Sequence, residues 1–105
     1  MHKLFLTLII LTYSLISVGQ KISFMDKLDS KKLIGEGKEL FYAGRTSEAM
    51  LTFKRAKLKN PKSGEAHYQL SVAQFYLRDY YSAHENSRRA EKLISKKKDV
   101  NIIII

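Results

Sequence analysis

From about residue 29 onward, apolar positions recur at helical spacing between short polar breaks, and the breaks divide the chain into four helices. A first helix is predicted from Asp29 or Ser30 to Ala43, with Gly44-Arg45-Thr46 as its turn. Thr46 or Ser47 is expected to cap a second helix, which continues to about Lys59 and stops before Pro61, because proline disfavours helix in the residue ahead of it. Ser63 is expected to cap a third helix ending near Leu77, and Arg78-Asp79-Tyr80 leads into a fourth, from Tyr81 or Ser82 to about Lys97. Within the stretch FYAGRTSEAMLTFKRAKLKNP, residues 41–61, Ala49, Phe53 and Ala56 fall at i, i+4 and i+7. They share one helical face on which two shallow sites flank one ring, a face built for close approach of another helix. The fourth helix has the corresponding stripe Ala83, Ser87, Ala90 and Ile94.

The pattern repeats. Offsetting the chain by thirty-four residues superposes Phe41 on Phe75, Tyr42 on Tyr76, Ala49 on Ala83, Arg55 on Arg89 and Ala56 on Ala90, and places Gly37 on the small Ser71. The expected fold class is therefore all-α: two antiparallel helix-turn-helix repeats, residues 30–63 and 64–97, in a short solenoid.

These residues resemble the tetratricopeptide repeat family. Gly37 and Ser71 stand at its small position, Ala49 with Ala83 and Ala56 with Ala90 at its two alanines, Phe53 at its aromatic, and Pro61 at its closing proline. The sequence departs from the pattern at Leu33 and His67, where the family has tryptophan, and at Glu36, where it has leucine. Leu40 and Gln74 replace its tyrosine, Ser87 its phenylalanine and Ser95 its second proline. The resemblance implies that the first helix of each unit lines a concave groove, formed here by Lys31, Ile34, Lys38, Phe41, Tyr42, Glu65, Tyr68, Val72, Phe75 and Tyr76. A groove with five rings and two lysines suits an extended or helical peptide of acidic character. From the residues alone, each aromatic pair reads equally as core, with at least one ring of each pair expected to be buried between helices. The lysine-asparagine set with which some members clamp a terminal carboxylate does not map here beyond Lys38.

The ends of the chain add to this picture. Residues 1–19 carry a short basic start, an apolar run over residues 4–18, and the small residues Ser17 and Gly19 ahead of Gln20, which are the parts of a secretory signal peptide. A membrane span needs about 20 apolar residues, and this run is shorter and interrupted by Thr7, Thr12, Ser14 and Ser17. Residues 20–29 read as a linker. Residues 98–105, ending in four isoleucines, read as the start of a truncated third repeat or as a free hydrophobic tail, and so as a sign that the chain is a fragment or that a partner covers its open end. Proteins similar in layout, with a signal peptide and a few tetratricopeptide units, occur in the Gram-negative periplasm ahead of propeller or OmpA-like domains, which implies an exported, periplasmic or outer-membrane-associated protein.

Charge and chemistry narrow the function classes. The formal net charge is +9, and no cysteine is available for a disulfide framework or a lipid anchor. The basic residues gather in Lys54, Arg55, Lys57, Lys59 and Lys62, and again in Arg88, Arg89, Lys92, Lys96, Lys97 and Lys98. Cations late in helices favour the helix dipole, and they also attract anionic partners. Without an arginine-aromatic reading motif in an exported chain, nucleic acid is not the expected partner. His67 and His84 fall on different helices without cysteine or carboxylate at ligand spacing, so neither metal nor cofactor is expected. His67 is expected at a helix-helix contact and His84 in solvent. Glu36 and Glu39 read as surface partners of Lys32 and Lys38 rather than as an acid-base pair, and Gly35-x-Gly37 lacks the rest of a phosphate loop. Neither catalysis nor a small-molecule ligand is expected. The favoured reading is a protein-protein adaptor or scaffold. The alternatives are a membrane-associated structural protein that keeps residues 4–18 as an anchor and binds anionic lipid through its lysines, and a truncated product without independent function.

Overall fold

The computed structural model describes the backbone of residues 21–104 and the side chains of residues 21–97. The signal-peptide segment and the side chains of the tail lie outside these described residues. Among the described residues, four helices form two antiparallel hairpins: α1 (Phe24–Tyr42) with α2 (Thr46–Lys59), and α3 (Gly64–Tyr76) with α4 (Tyr80–Ile104). The fold is all-α. Each helix packs on its neighbour in the chain, and α1 also reaches α3.

Both hairpin turns close in the same way. Gly44 N–H donates to Phe41 O at 3.0 Å and Arg45 N–H to Leu40 O at 2.9 Å; one period later, Arg78 N–H donates to Phe75 O at 3.0 Å and Asp79 N–H to Gln74 O at 2.9 Å. Such paired bonds satisfy the last carbonyls of a helix and require a left-handed residue after the cap. Gly44 supplies it at φ 81°, and Arg78 supplies it at φ 66°, where a side chain is strained.

The helix starts differ from the sequence reading in three places. The first helix begins at Phe24, because Ser23 Oγ accepts from Asp26 N–H at 3.1 Å, so most of the expected linker is helical. The residue ahead of α2 is Arg45, not Thr46 or Ser47, and it makes no side-chain cap bond; its N–H is already committed to Leu40 O. The fourth helix starts at Tyr80, where Asp79 Oδ1 accepts from Ser82 N–H at 3.3 Å. Ser63 caps α3 as expected, accepting from Ala66 N–H at 3.1 Å. Helix α4 runs unbroken past Lys98 to Ile104, so no turn sets the tail apart from the second hairpin.

The core sits where α1, α2 and α3 meet. Ala49, Phe53, Leu70 and Ala73 are buried together, with Leu40, Phe41 and Met50 against them, and Leu33, Ile34, Ala56 and Ala66 form a second cluster. Ala49 and Ala56 are fully buried beside Phe53, as their spacing demanded. Phe53 lies so close to Gly37 that a Cβ there would come within 2.6 Å of the ring's Cδ1. The helix crossings also repeat. Ser30 Oγ donates to Ala56 O at 2.8 Å, and one period on, a Cβ at Gly64 would meet Ile94 Cγ1 at 2.8 Å and Ala90 O at 3.5 Å.

The second hairpin is held differently, through polar groups. Asn86 Nδ2 donates to Gln74 Oε1 at 2.8 Å and to Ser82 O at 3.1 Å, while its Oδ1 accepts from Lys57 Nζ at 3.2 Å. His67 is buried as the sequence suggested; Nε2 donates to Pro61 O at 2.8 Å and Nδ1 lies 3.4 Å from Asn86 Oδ1. No side-chain donor or acceptor buried among the described residues lacks a partner.

Candidate partner-binding face

Along the side of the molecule shared by α1, α3 and the start of α4, five aromatic rings stand in a row. Tyr42 and Phe41 are 6.1 Å apart between centroids, Phe41 and Tyr76 5.1 Å, Tyr76 and Phe75 6.3 Å, and Phe75 and Tyr80 5.4 Å, all edge to face. The row exists because Phe41-Tyr42 and Phe75-Tyr76 close the last turns of α1 and α3, and the hairpin stacking sets those turns side by side. Phe41 is half-buried against the core, but Tyr42 is 83 % exposed, Tyr76 66 %, Phe75 60 % and Tyr80 58 %. The expectation of at least one buried ring per pair is therefore met only in part in the first hairpin, by the half-buried Phe41, and not in the second, where both rings are exposed. In the second, no further helix among the described residues lies over Phe75 as α3 lies beside Phe41.

Toward the other end of the same face, Lys38 Nζ binds Glu65 Oε1 at 2.7 Å, linking α1 to α3. This hydrogen bond, and then the charge of Glu65, raises the Lys38 ammonium above the ordinary lysine value. The partner is on the neighbouring hairpin, not at Glu36 or Glu39, which pair with no cation among the described residues. Lys31 and Tyr68 are exposed and Val72 is half-buried on this side. Ile34 departs from the expected groove set. It is 4 % exposed, packed with Leu33, Ala56 and Ala66 at the three-helix junction, and belongs to the core.

Tyr80 was not among the groove residues expected from the sequence, although a ring directly after the Arg78-Asp79 turn was visible there. Beside it the structure opens a hollow of about 530 Å³ lined by Ser71, Val72, Phe75, Tyr80, Ala83, His84 and Ser87. Of the basic residues of α2 and α4, Lys54, Arg55, Arg88, Arg89, Lys92, Lys96 and Lys97 are all exposed.

No family model, curated protein or solved structure matches the chain.

For chemistry, the described residues hold no cluster of three or more metal-ligand side chains, and His84 is exposed, away from the buried His67. No described helix is long and apolar enough to cross a membrane. The exposed ring row, with Lys38 and Lys31 toward its far end, offers apolar area and hydroxyls.

Proposed function

We propose that this chain is an exported protein-interaction module of the tetratricopeptide type, which docks a segment of a partner protein along the ring face. The observation that carries the reading is the five-ring row spanning both hairpins. Aromatic side chains offer large contact area at low entropic cost, and a row of four strongly exposed rings is an unusual arrangement for surface left only to water. The repeat assignment is supported by the matched turns at Gly44 and Arg78 and the matched small-residue crossings at Ser30-Ala56 and Gly64-Ala90, each one period apart. Export rests on the reading of residues 1–19 as a signal peptide, and the intact mass of the protein from its native cells tests it. A chain beginning at Gln20 supports export; retention of residues 1–19 argues for the anchor.

The binding role is tested by panning a displayed peptide library against the full chain and measuring the selected peptides by fluorescence anisotropy. Tyr68→Ala and Tyr76→Ala are each expected to weaken binding about tenfold, roughly 1.4 kcal/mol. Anionic vesicles serve as the rival probe. Salt-sensitive vesicle binding, together with peptide affinities that ignore both tyrosine variants, would favour the lipid-binding alternative instead.

A further inference from the structure

The hollow beside Tyr80 has a covered counterpart in the same molecule. Its lining residues Ser71, Val72, Phe75, Tyr80, Ala83, His84 and Ser87 lie one thirty-four-residue period after Gly37, Lys38, Phe41, Thr46, Ala49, Met50 and Phe53. In the first hairpin that face receives α3, whose Leu70 and Ala73 pack on Ala49 and Phe53 with Phe41 and Met50 around them. The second hairpin presents the same face with nothing seated on it among the described residues. Where Asn60 and Pro61 end α2 and turn the chain back, α4 continues straight to Ile104.

Two substitutions shape what fits. Ser87 replaces Phe53, so the ring that fills the first face is missing and the hollow is left. The serine hydroxyls do not make it polar, since Ser71 Oγ donates to Tyr68 O at 2.6 Å and Ser87 Oγ to His84 O at 2.9 Å, both back into their own helices. The second change is one of charge. Beyond Ser87, α4 carries Arg88, Arg89, Lys92, Lys96 and Lys97 against a single acid, Glu91, all exposed, and none of these cations is ion-paired among the described residues. The net positive charge of this stretch opposes a second copy of the same face and favours an anionic occupant.

We propose that this face seats an amphipathic helix of an acidic partner protein, in the place that α3 takes on the first hairpin, with a large apolar side chain of the partner entering the hollow over Ser87. The face shares Phe75 and Tyr80 with the ring row, while Ser71, Ala83 and Ser87 belong to the hollow alone.

The probe is a synthetic peptide of residues 63–77 carrying Ala73→Phe, with glutamate at its solvent-facing positions; a twin with lysine at those positions is the control. Its binding to the full chain is followed by amide chemical shifts and by titration. The proposal expects shifts at Ser71, Ala83 and Ser87, no binding of the lysine twin, and loss of affinity by about tenfold or more in Ser87→Phe, which fills the hollow from within. Arg88→Glu with Lys92→Glu should weaken it similarly. Ser87 is exposed, so the phenylalanine is compatible with folding, and Val72→Asp in the hollow's wall gives an independent loss if it is not. Shifts confined to Phe41 and Tyr42, or affinity unchanged in Ser87→Phe and Val72→Asp, would overturn the proposal. So would sedimentation showing a dimer that Ser87→Phe dissociates, since the occupant would then be a second copy.

Discussion

Asn86 and Gln74 join α4 to α3 by a buried 2.8 Å hydrogen bond at the position where the first hairpin places Thr52 and Leu40. His67, at the offset of Leu33, lies buried beside them and donates from Nε2 to Pro61 O. The polar departures in the second unit are thus one coupled replacement rather than separate defects. Breaking such a network strands its remaining members away from water. Asn86→Ala is therefore expected to lower stability by about 1–3 kcal/mol. The triple replacement His67→Leu, Gln74→Leu and Asn86→Thr, which copies the first hairpin, is expected to recover most of that loss. Urea unfolding of the single and triple variants measures both.

Two glycines of α1, only two residues apart and so on different faces, should respond in opposite directions. Gly37 faces the Phe53 ring with no room for a methyl group, whereas nothing lies within 4 Å of a Cβ on Gly35. Gly37→Ala is expected to cost about 1–3 kcal/mol by overpacking. Gly35→Ala is expected to stabilise the helix by up to about 1 kcal/mol, because alanine is the better helix former at an exposed interior position. Thermal melts of the two variants, read side by side, check the pair; equal responses would mean that Phe53 does not sit on Gly37.

The turns allow a comparison within one chain. Arg78 holds the left-handed conformation that Gly44 holds one period earlier. Arg78→Gly removes a steric penalty of roughly 1–2 kcal/mol per left-handed residue, partly offset by the greater freedom of glycine in the unfolded chain. A net gain of about 1 kcal/mol is expected, and Gly44→Ala should lose a comparable amount. Denaturant midpoints at constant slope provide the measurement.

How much of this was legible follows from the range of each interaction. The four helices and the hairpin pairing could be read because their signals are local: Gly44, Pro61, Ser63 and the Ala49-Phe53-Ala56 spacing each act within a few residues. The start of α1 is also local, in Ser23-x-x-Asp26, but it lies ahead of the stretch whose apolar periodicity begins near residue 29. Arg45 displaced Thr46 as the residue ahead of α2 because one N–H serves the turn before it, a constraint visible only once the turn geometry is known. The candidate face was harder to read. Ile34 and Lys38 occupy neighbouring turns of one helix, yet Ile34 is closed off by Ala56 and Ala66 while Lys38 remains accessible and finds Glu65. Which side of α1 meets α3 is set by packing between hairpins, and periodicity within one helix does not encode it. The hollow over Ser87 did have a sequence signal, the loss of a ring at the offset of Phe53, but its meaning depended on seeing what Phe53 does.

The contact between Lys38 and Glu65 yields a pH dependence with a definite sign. Glu65 raises the Lys38 value in the folded chain, so the group binds its proton more tightly folded than unfolded. Its contribution is present in full below the ordinary lysine value of about 10.4 and is lost as pH rises through the raised folded value. Both side chains are substantially exposed, 38 % and 53 %, so solvent screening limits the pair to the range of surface ion pairs, about 0.2–1 kcal/mol. The stability gap between the wild type and Lys38→Met should accordingly be small but measurable near neutral pH, shrink at high salt, and close at the alkaline end. Because the pair bridges α1 and α3 rather than one hairpin, a double-mutant cycle with Glu65→Gln should carry the whole gap as coupling. A gap that widens toward alkaline pH, or a cycle with no coupling, would show that Lys38 acts through its stem packing beside the ring face and not through its charge.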